Sequence, residues 1–204
     1  MTTNDGRRLP ATMMRDRAVF LKRWLRRPLS MGSVTPSSQA LGRAMARAAL
    51  AGLPADHVVI ELGAGTGSIT RALLGAGLPD RLLVPVELDT ELHAHLKHAF
   101  PSLRLLNGDA ARLPELLAAH QVAPVGAVVS GLPLLAMPAP VVEAIVTGAV
   151  AVLPPGGALV QFTYGPTSPV PPELLRRLQL DATRGRRVWS NLPPAVVWRF
   201  TRRA

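Results

Sequence analysis

Short apolar runs alternate with longer amphipathic ones along most of this chain, and that alternation predicts its fold. Val58 to Leu62 is a brief apolar run ending in glycines, the pattern of a buried strand feeding a tight turn. Residues 68–76 follow with helical spacing. The same unit then recurs: strand 81–89 ("RLLVPVELD") with helix 90–99, strand 103–110 ("LRLLNGDA") with helix 111–120, strand 125–133 ("VGAVVSGLP") with helix 139–152, and a fifth strand at 157–165 ("GALVQFTYG"). Strands alternating with helices predict a parallel sheet covered on both faces. The tail breaks the rhythm. "GRRVWSN" (185–191) and "AVVWRFTR" (195–202) are strand-like runs joined through "LPP", so the last strand is expected to run antiparallel in a seven-stranded sheet. Upstream, Ser37 or Ser38 can cap a helix that runs to about Ala51 and stops at Gly52. Residues 1–12 are expected to be loose.

Between these lies a different pattern. On a helical wheel, Met13, Met14, Ala18, Phe20, Leu21, Trp24 and Leu25 share one face, and Arg15, Lys22, Arg23, Arg26 and Arg27 cover the other. Val19 and Arg17 fall on the wrong sides, though a long Arg17 side chain can snorkel. A basic face opposite a Trp/Phe/Leu face is the pattern of a helix lying in a bilayer interface. Amphipathic helices more often pack such a face on their own domain, so the wheel alone does not decide. The expected division is a membrane-binding segment over 1–36 and a catalytic domain over 37–204.

Composition narrows the picture. At 204 residues, with ordinary hydrophobic content, the chain fits one domain with an appendage. It has no cysteine, hence no disulfide framework and no Cys-based zinc site, and no metal is expected. The opening "MTTNDGRRLP" runs into no apolar segment of the secretory kind. Residues 121–142 and 144–172 are free of charge, but prolines and glycines interrupt them, so buried strands and a helix explain them better than a membrane span.

Charge is unevenly placed. The net charge is +10, yet residues 1–27 carry +6, residues 172–204 carry another +6, and the middle carries −2. Basic ends around a mildly acidic centre point to a polyanionic partner, either nucleic acid or an anionic membrane surface.

The candidate chemistry begins at "ELGAGTGSIT", residues 61–70. Gly63, Gly65 and Gly67 follow a strand and open a helix, where they allow close backbone approach to a ligand. The dinucleotide pattern wants a small residue at 68 and finds Ser68. The spacing G-x-G-x-G behind Glu61 instead resembles the first motif of the S-adenosylmethionine-dependent methyltransferases. Two more acids fit. Glu87 ends the second strand, where a carboxylate can accept from both ribose hydroxyls, and Asp109, followed by Ala110, ends the third, where one can accept from an adenine amino group. Each acid alone has a structural explanation, as a helix cap or a solvated turn. Together they occupy the carboxyl ends of successive strands, the ligand edge of an open α/β sheet.

Which methyltransferase is a matter of resemblance. The loop and strand order are similar to ribosomal RNA adenine dimethyltransferases, in which the fourth strand ends in Asn-Leu-Pro-aromatic. Here Ser130 stands for the Asn and Leu134 for the aromatic, so the flat face for a flipped base is missing. The "NLPP" at 191–194 follows the fifth strand and cannot be that motif. "FLKRWLRRPLSMGSVTPSS", "ELGAGTG", "VVSGLPLL", "LVQFTYGP" and "VWSNLPPAVVWRF" resemble, in order, blocks of the soluble bacterial phospholipid N-methyltransferases. The resemblance covers nearly the whole chain from Arg17. It implies a Rossmann-like fold with N-terminal amphipathic helices and stepwise methylation of phosphatidylethanolamine towards phosphatidylcholine. It also implies S-adenosyl-L-methionine as donor, S-adenosyl-L-homocysteine as product, and Glu61, Gly63, Gly65 and Glu87 as cofactor ligands. On this reading Gly67, Asp109, Ala110 and Ser130 complete the cofactor set. The enzyme is expected on the cytoplasmic face of the membrane, held by Arg17, Phe20, Lys22, Arg23, Trp24, Arg26 and Arg27, with a phospholipid substrate and no nucleic acid partner. The alternatives are an RNA or DNA adenine N-methyltransferase, or a silent binding protein that keeps the cofactor fold.

None of the five histidines is well placed as a base: His57 and His120 fall at the far edge, and His93, His95 and His98 on the second helix. Tyr164, the single tyrosine, ends the fifth strand at the ligand edge, where its ring can hold an ammonium and its hydroxyl can orient an amine. Packing against the tail hairpin would explain it equally well. Arg186 and Arg187 are candidates for the headgroup phosphate, as is Ser37, with edge-strand protection and helix capping as the plainer explanations.

Overall fold

The structure is a computed structural model that describes residues 38–122 and 124–203. The proposed membrane segment and Ser37 lie outside the described residues. The elements are α1 (Gln39–Leu50), β1 (Val58–Leu62), α2 (Ser68–Gly75), β2 (Leu83–Glu87), α3 (Thr90–Ala99), β3 (Leu106–Asn107), α4 (Leu113–Ala119), β4 (Val125–Ser130), α5 (Ala139–Ala151), β5 (Ala158–Thr163), α6 (Pro172–Arg177), β6 (Leu180–Val188) and β7 (Ala195–Arg202). They build one seven-stranded sheet in the order β3-β2-β1-β4-β5-β7-β6. β1 to β5 run parallel, and β7 is antiparallel to both β5 and β6. The expected methyltransferase-type α/β architecture is therefore present.

The order follows from where apolar residues fall. β1, β2, β4 and β5 are buried along their whole lengths, as strands covered on both faces must be. α1 covers one face with Leu41, Met45, Ala46 and Ala49. Ser38, rather than Ser37, caps it by accepting the Leu41 N–H at 3.2 Å. The helix crosses α2 so closely that a Cβ on Gly42 would meet the Ala72 methyl at 2.9 Å. Its far end is fixed by Arg199 of β7, whose guanidinium donates to the carbonyls of Ala48 and Ala51.

Three boundaries differ from the sequence expectation. β3 shrinks to two residues, with irregular backbone before it at 103–105 and the bend at Gly108 and the 3₁₀ turn from Ala110 after it. β6 begins at Leu180, five residues early. Its first half, "LDATR", is an edge strand that buries only Leu180 and is exposed from Asp181 to Arg184, so it leaves no apolar alternation. The short helix α6, opened by Pro171 and Pro172, sits where no helix was expected.

The strand directions fix one geometric fact on which the rest turns. The carboxyl ends of β1, β2, β4, β5 and β6 and the start of β7 all lie along the same edge. The amino end of α1 belongs to it too, because the Ser38 N–H donates to Asn191 Oδ1 in the β6–β7 turn at 2.9 Å.

Because Met45 is fully buried under α1, Met45→Ala is expected to cost about 2–5 kcal/mol. Urea unfolding should show a lower midpoint with an unchanged slope.

Candidate functional site

The β1–α2 loop is stitched to its neighbours by backbone. Gly63 N–H donates to Val86 O at 2.9 Å, and Gly131 N–H to Leu62 O at 2.9 Å, so the loop is fixed between the ends of β2 and β4. Gly63, Gly65 and Gly67 have φ values of 69°, 57° and 79°, the left-handed region that favours glycine. Their roles nevertheless differ. A Cβ on Gly63 would strike Leu132 at 2.4 Å and one on Gly67 would strike Phe100 at 2.6 Å, so these two glycines are demanded by packing within the protein. A Cβ on Gly65 would meet nothing nearer than the Gly63 carbonyl at 4.0 Å. Gly65 is the glycine that leaves room for a ligand.

Two buried carboxylates hold this loop. Glu87 accepts the Gly65 N–H at 2.8 Å on one oxygen and the Asp89 N–H at 2.9 Å on the other. Each oxygen keeps a lone pair for a diol presented at the loop. Asn107 steadies the same turn by donating to the carbonyls of Glu87 and Leu88. Glu61 is engaged differently. Thr70 N–H donates to its Oε1 at 3.1 Å, and Thr70 Oγ1 lies 2.6 Å from its Oε2. Its part is to pin the first turn of α2 beneath the loop. Asp109 caps the short 3₁₀ turn Ala110–Arg112 through the Ala111 N–H at 2.9 Å, leaving one oxygen uncommitted. Ala110 opens that turn.

Across the sheet, Ser130 ends β4 buried, and its hydroxyl accepts the Leu132 N–H at 3.3 Å. Gln161 on β5 fixes the same loop by donating to the Leu132 carbonyl at 2.9 Å. Tyr164 follows β5 and meets Phe162 edge-on, with ring centroids 5.4 Å apart. The Asn191 side chain stands near the Tyr164 phenol. Asn191 also accepts from Ser38 and donates to the Pro193 carbonyl at 2.8 Å. A cofactor cradle at β1–β2 thus adjoins a polar cluster at β4–β5–β7.

Comparison with known proteins agrees with this arrangement. No family model matches the chain. It is 30% identical over 158 residues to the ornithine lipid N-methyltransferase of Singulisphaera acidiphila, covering 75% of this chain and 80% of that protein. The chain belongs to the family of that lipid N-methyltransferase. Among solved structures, the 1,6-didemethyltoxoflavin-N1-methyltransferase of Burkholderia thailandensis, with S-adenosylhomocysteine bound, superposes with a TM-score of 0.67 at 16% identity, over 99% of this chain and 94% of its own. TrmN of Thermus thermophilus gives a TM-score of 0.62 at 21% identity, over 89% of this chain, which spans only 53% of that longer protein. The enzyme is an S-adenosylmethionine-dependent methyltransferase. The open space at Gly65 and the free lone pairs of Glu87 suit that cofactor.

In the methyltransferase, the cofactor supplies an electrophilic methyl group on a sulfonium. The residues of the chain supply position. Gly65 and Glu87 would hold the ribose side, Asp109 and Ala110 the base side, and the β4 end with Ser130 borders the place where an acceptor must stand for in-line transfer. Burial pushes the Glu61 carboxyl up to about 8, against the lowering effect of its Thr70 hydrogen bonds and aided by the nearby Glu87 charge. Glu87 is also raised by burial, with the Asp89 and Gly65 N–H groups opposing. Burial raises the Tyr164 phenol, and the nearby Asn191 side chain partly offsets it. Tyr164 therefore keeps its proton at neutral pH.

Two sequence candidates stand apart from this cluster. Arg186 and Arg187 lie on the outermost strand, three strands from β4. At strand spacing of about 4.8 Å that is roughly 14 Å from backbone to backbone. Arg187 instead lies over the Trp189 ring, 5.1 Å from its centroid. Conversely, Thr70, Asn107, Gln161 and Asn191 matter here and were missed. Asn191 was visible in "NLPP", but only the β6–β7 pairing brings it to Tyr164 and Ser38.

Two outcomes follow. Glu87→Ala removes an acceptor of ribose hydroxyls and should weaken S-adenosylmethionine binding at least about tenfold, as read by calorimetry. Glu61, with its folded pKa raised from 4.5 to about 8, favours the native state fully below pH 4.5, and that contribution is lost as pH rises through 8. Glu61→Gln mimics the protonated form, so thermal scans of the variant should fall less between pH 5 and 8 than those of the parent.

Proposed function

We propose that this methyltransferase transfers methyl groups to the amine of phosphatidylethanolamine, and to its mono- and dimethylated products, at a membrane surface. The observation that carries the reading is the relationship to a protein named for N-methylation of a lipid, over three quarters of this chain. The order of the blocks from Arg17 onward supports phosphatidylethanolamine as the particular lipid. The name of the relative favours a second reading within the same class, in which the amine belongs to ornithine lipid.

The chemistry asks little of the protein beyond position. A primary ammonium titrates near pKa ~10 and must lose a proton before its nitrogen has a lone pair. A low-dielectric site lowers that value, and the proton passes to water. The nitrogen lone pair forms the new N–C bond as the C–S bond breaks, and the thioether leaves neutral. Tyr164, beside Asn191, can present its ring to the ammonium and its oxygen to the amine N–H. An adenine acceptor is less well served. Leu134, buried behind the end of β4, offers no flat face for a base.

The segment Met13–Arg27 is proposed as the anchor. Each basic residue near an anionic surface contributes about 1 kcal/mol, and burying Phe20 and Trp24 adds a few more. With its ends basic, the chain is proposed to sit on the inner face of the cytoplasmic membrane.

The test offers methyl-labelled S-adenosylmethionine with phosphatidylethanolamine vesicles, ornithine lipid vesicles, or RNA. Label in phosphatidylethanolamine is expected. Label in ornithine lipid alone would move the substrate within the class, and label in RNA alone would contradict the reading. Phe20→Ala with Trp24→Ala should abolish turnover on vesicles while leaving cofactor affinity within about twofold. Normal turnover and normal vesicle sedimentation of that variant would show that the segment is no anchor.

A further inference from the structure

The carboxyl edge of the sheet is chemically divided. Over β1, β2 and β3 it carries Glu87, Asp89 and Asp109. Over β4, β5, β7 and β6 its loops are 131–138, 164–171 and 189–194, and none contains an acidic residue. Beyond Asp181 the chain has no acidic side chain at all.

This second half also exposes apolar groups. Leu135 is 60% exposed, Trp189 73% and Leu192 78%, and these are the large hydrophobic side chains exposed among the described residues. They come from two different connections, Leu135 after β4 and Trp189 and Leu192 in the β6–β7 turn, yet strand direction delivers all three to the same edge. Leu135 also packs against the turn after β5, where a Cβ on Gly165 would meet its Cδ1 at 3.4 Å. Soluble proteins scatter such residues singly. Grouping along one rim, beside an active site, marks a contact surface.

The basic residues are arranged to match. β6 carries a bulge between Arg184 and Arg187. Arg184 pairs with Trp198 and Arg187 with Val196, residues two apart on β7, so the bulge brings both arginines to the same face. Arg186 turns to the other face. The outer strand therefore offers guanidinium groups on either side of the sheet, with Arg187 stacked on Trp189 at the rim.

We infer that this rim, formed by Leu135, Trp189 and Leu192 with Arg184, Arg186 and Arg187 around it, is a docking surface of the catalytic domain for an anionic lipid bilayer. Its choice of partner rests on the lipid-amine reading. Charge complementarity argues for an anionic partner, and the aliphatic Leu135 and Leu192 argue for hydrocarbon over a nucleic acid backbone. Tryptophan beside arginine suits the headgroup level, where an apolar ring and a phosphate-binding cation are both satisfied. On the outermost strand, these arginines meet phosphates of neighbouring lipids. Docked this way, the enzyme has Tyr164 and the β4 end facing the bilayer. A lipid amine then reaches them without its chains leaving the membrane.

The test uses the full chain and vesicles of phosphatidylglycerol and phosphatidylcholine with brominated acyl chains. Trp24→Phe leaves Trp189 and Trp198, and Trp24→Phe with Trp189→Phe leaves Trp198, so their difference reports on Trp189 alone. Quenching of Trp189 by bromine is expected. Leu135→Ser with Trp189→Ser should lower vesicle partition at least about tenfold, with unchanged cofactor affinity and unchanged methylation of a detergent-dispersed lipid amine. An unquenched Trp189 on sedimented protein would overturn the inference, as would partition unaffected by the double change. Loss of RNA binding without loss of vesicle binding in that variant would also overturn it, in favour of a nucleic acid surface. If the parent methylates no lipid yet Trp189 is quenched, the substrate reading fails and the docking surface stands.

Discussion

The hydrogen bond from Gly65 N–H to the buried carboxylate of Glu87 is the contact on which the site depends. It joins the glycine loop after β1 to the end of β2. It fixes the one glycine of this loop whose missing Cβ meets no side chain, and it orients a carboxylate toward the same space. Glu61 and Thr70 secure the loop from below, and Val86 O and Leu62 O secure its sides. A parallel sheet makes this possible, because it places the loops of successive strands on one edge and buries the strands that carry them.

The same edge explains how a cationic cofactor and an amphiphilic acceptor can share a small domain. Its acidic half suits a sulfonium-bearing ligand with a diol. Its other half is uncharged or basic and ends in Tyr164 and Asn191. The antiparallel β6–β7 hairpin contributes most of that second half. It supplies Asn191, which stands near Tyr164 and accepts from the amino end of α1, so the hairpin ties that helix to the edge of the sheet.

Much of this was legible in the sequence, and the limits are physical. Buried parallel strands leave continuous apolar runs, so β1, β2, β4 and β5 stand out, and glycines followed by acids at strand ends mark the cofactor half. The first half of β6 escapes notice for the opposite reason: exposed from Asp181 to Arg184, it needs no apolar pattern. Of the three glycines, the sequence cannot separate Gly65 from Gly63 and Gly67, because the distinction lies in Leu132 and Phe100, far away in the chain. Thr70 and Asn191 carry no local signature, since their importance comes from partners that only the fold brings near. Arg186 and Arg187 read as phosphate ligands by charge, and only strand order places them on the outermost strand.

The central claim is that the two halves of this edge meet around one lipid amine. A crystal structure with S-adenosylhomocysteine and a lysophosphatidylethanolamine tests it most directly. The account predicts ribose density at Glu87 and the amine beside Ser130 and Tyr164, with the acyl chain leaving over Leu135 and Trp189. A headgroup bound elsewhere, with its amine out of line with the sulfur, would contradict it.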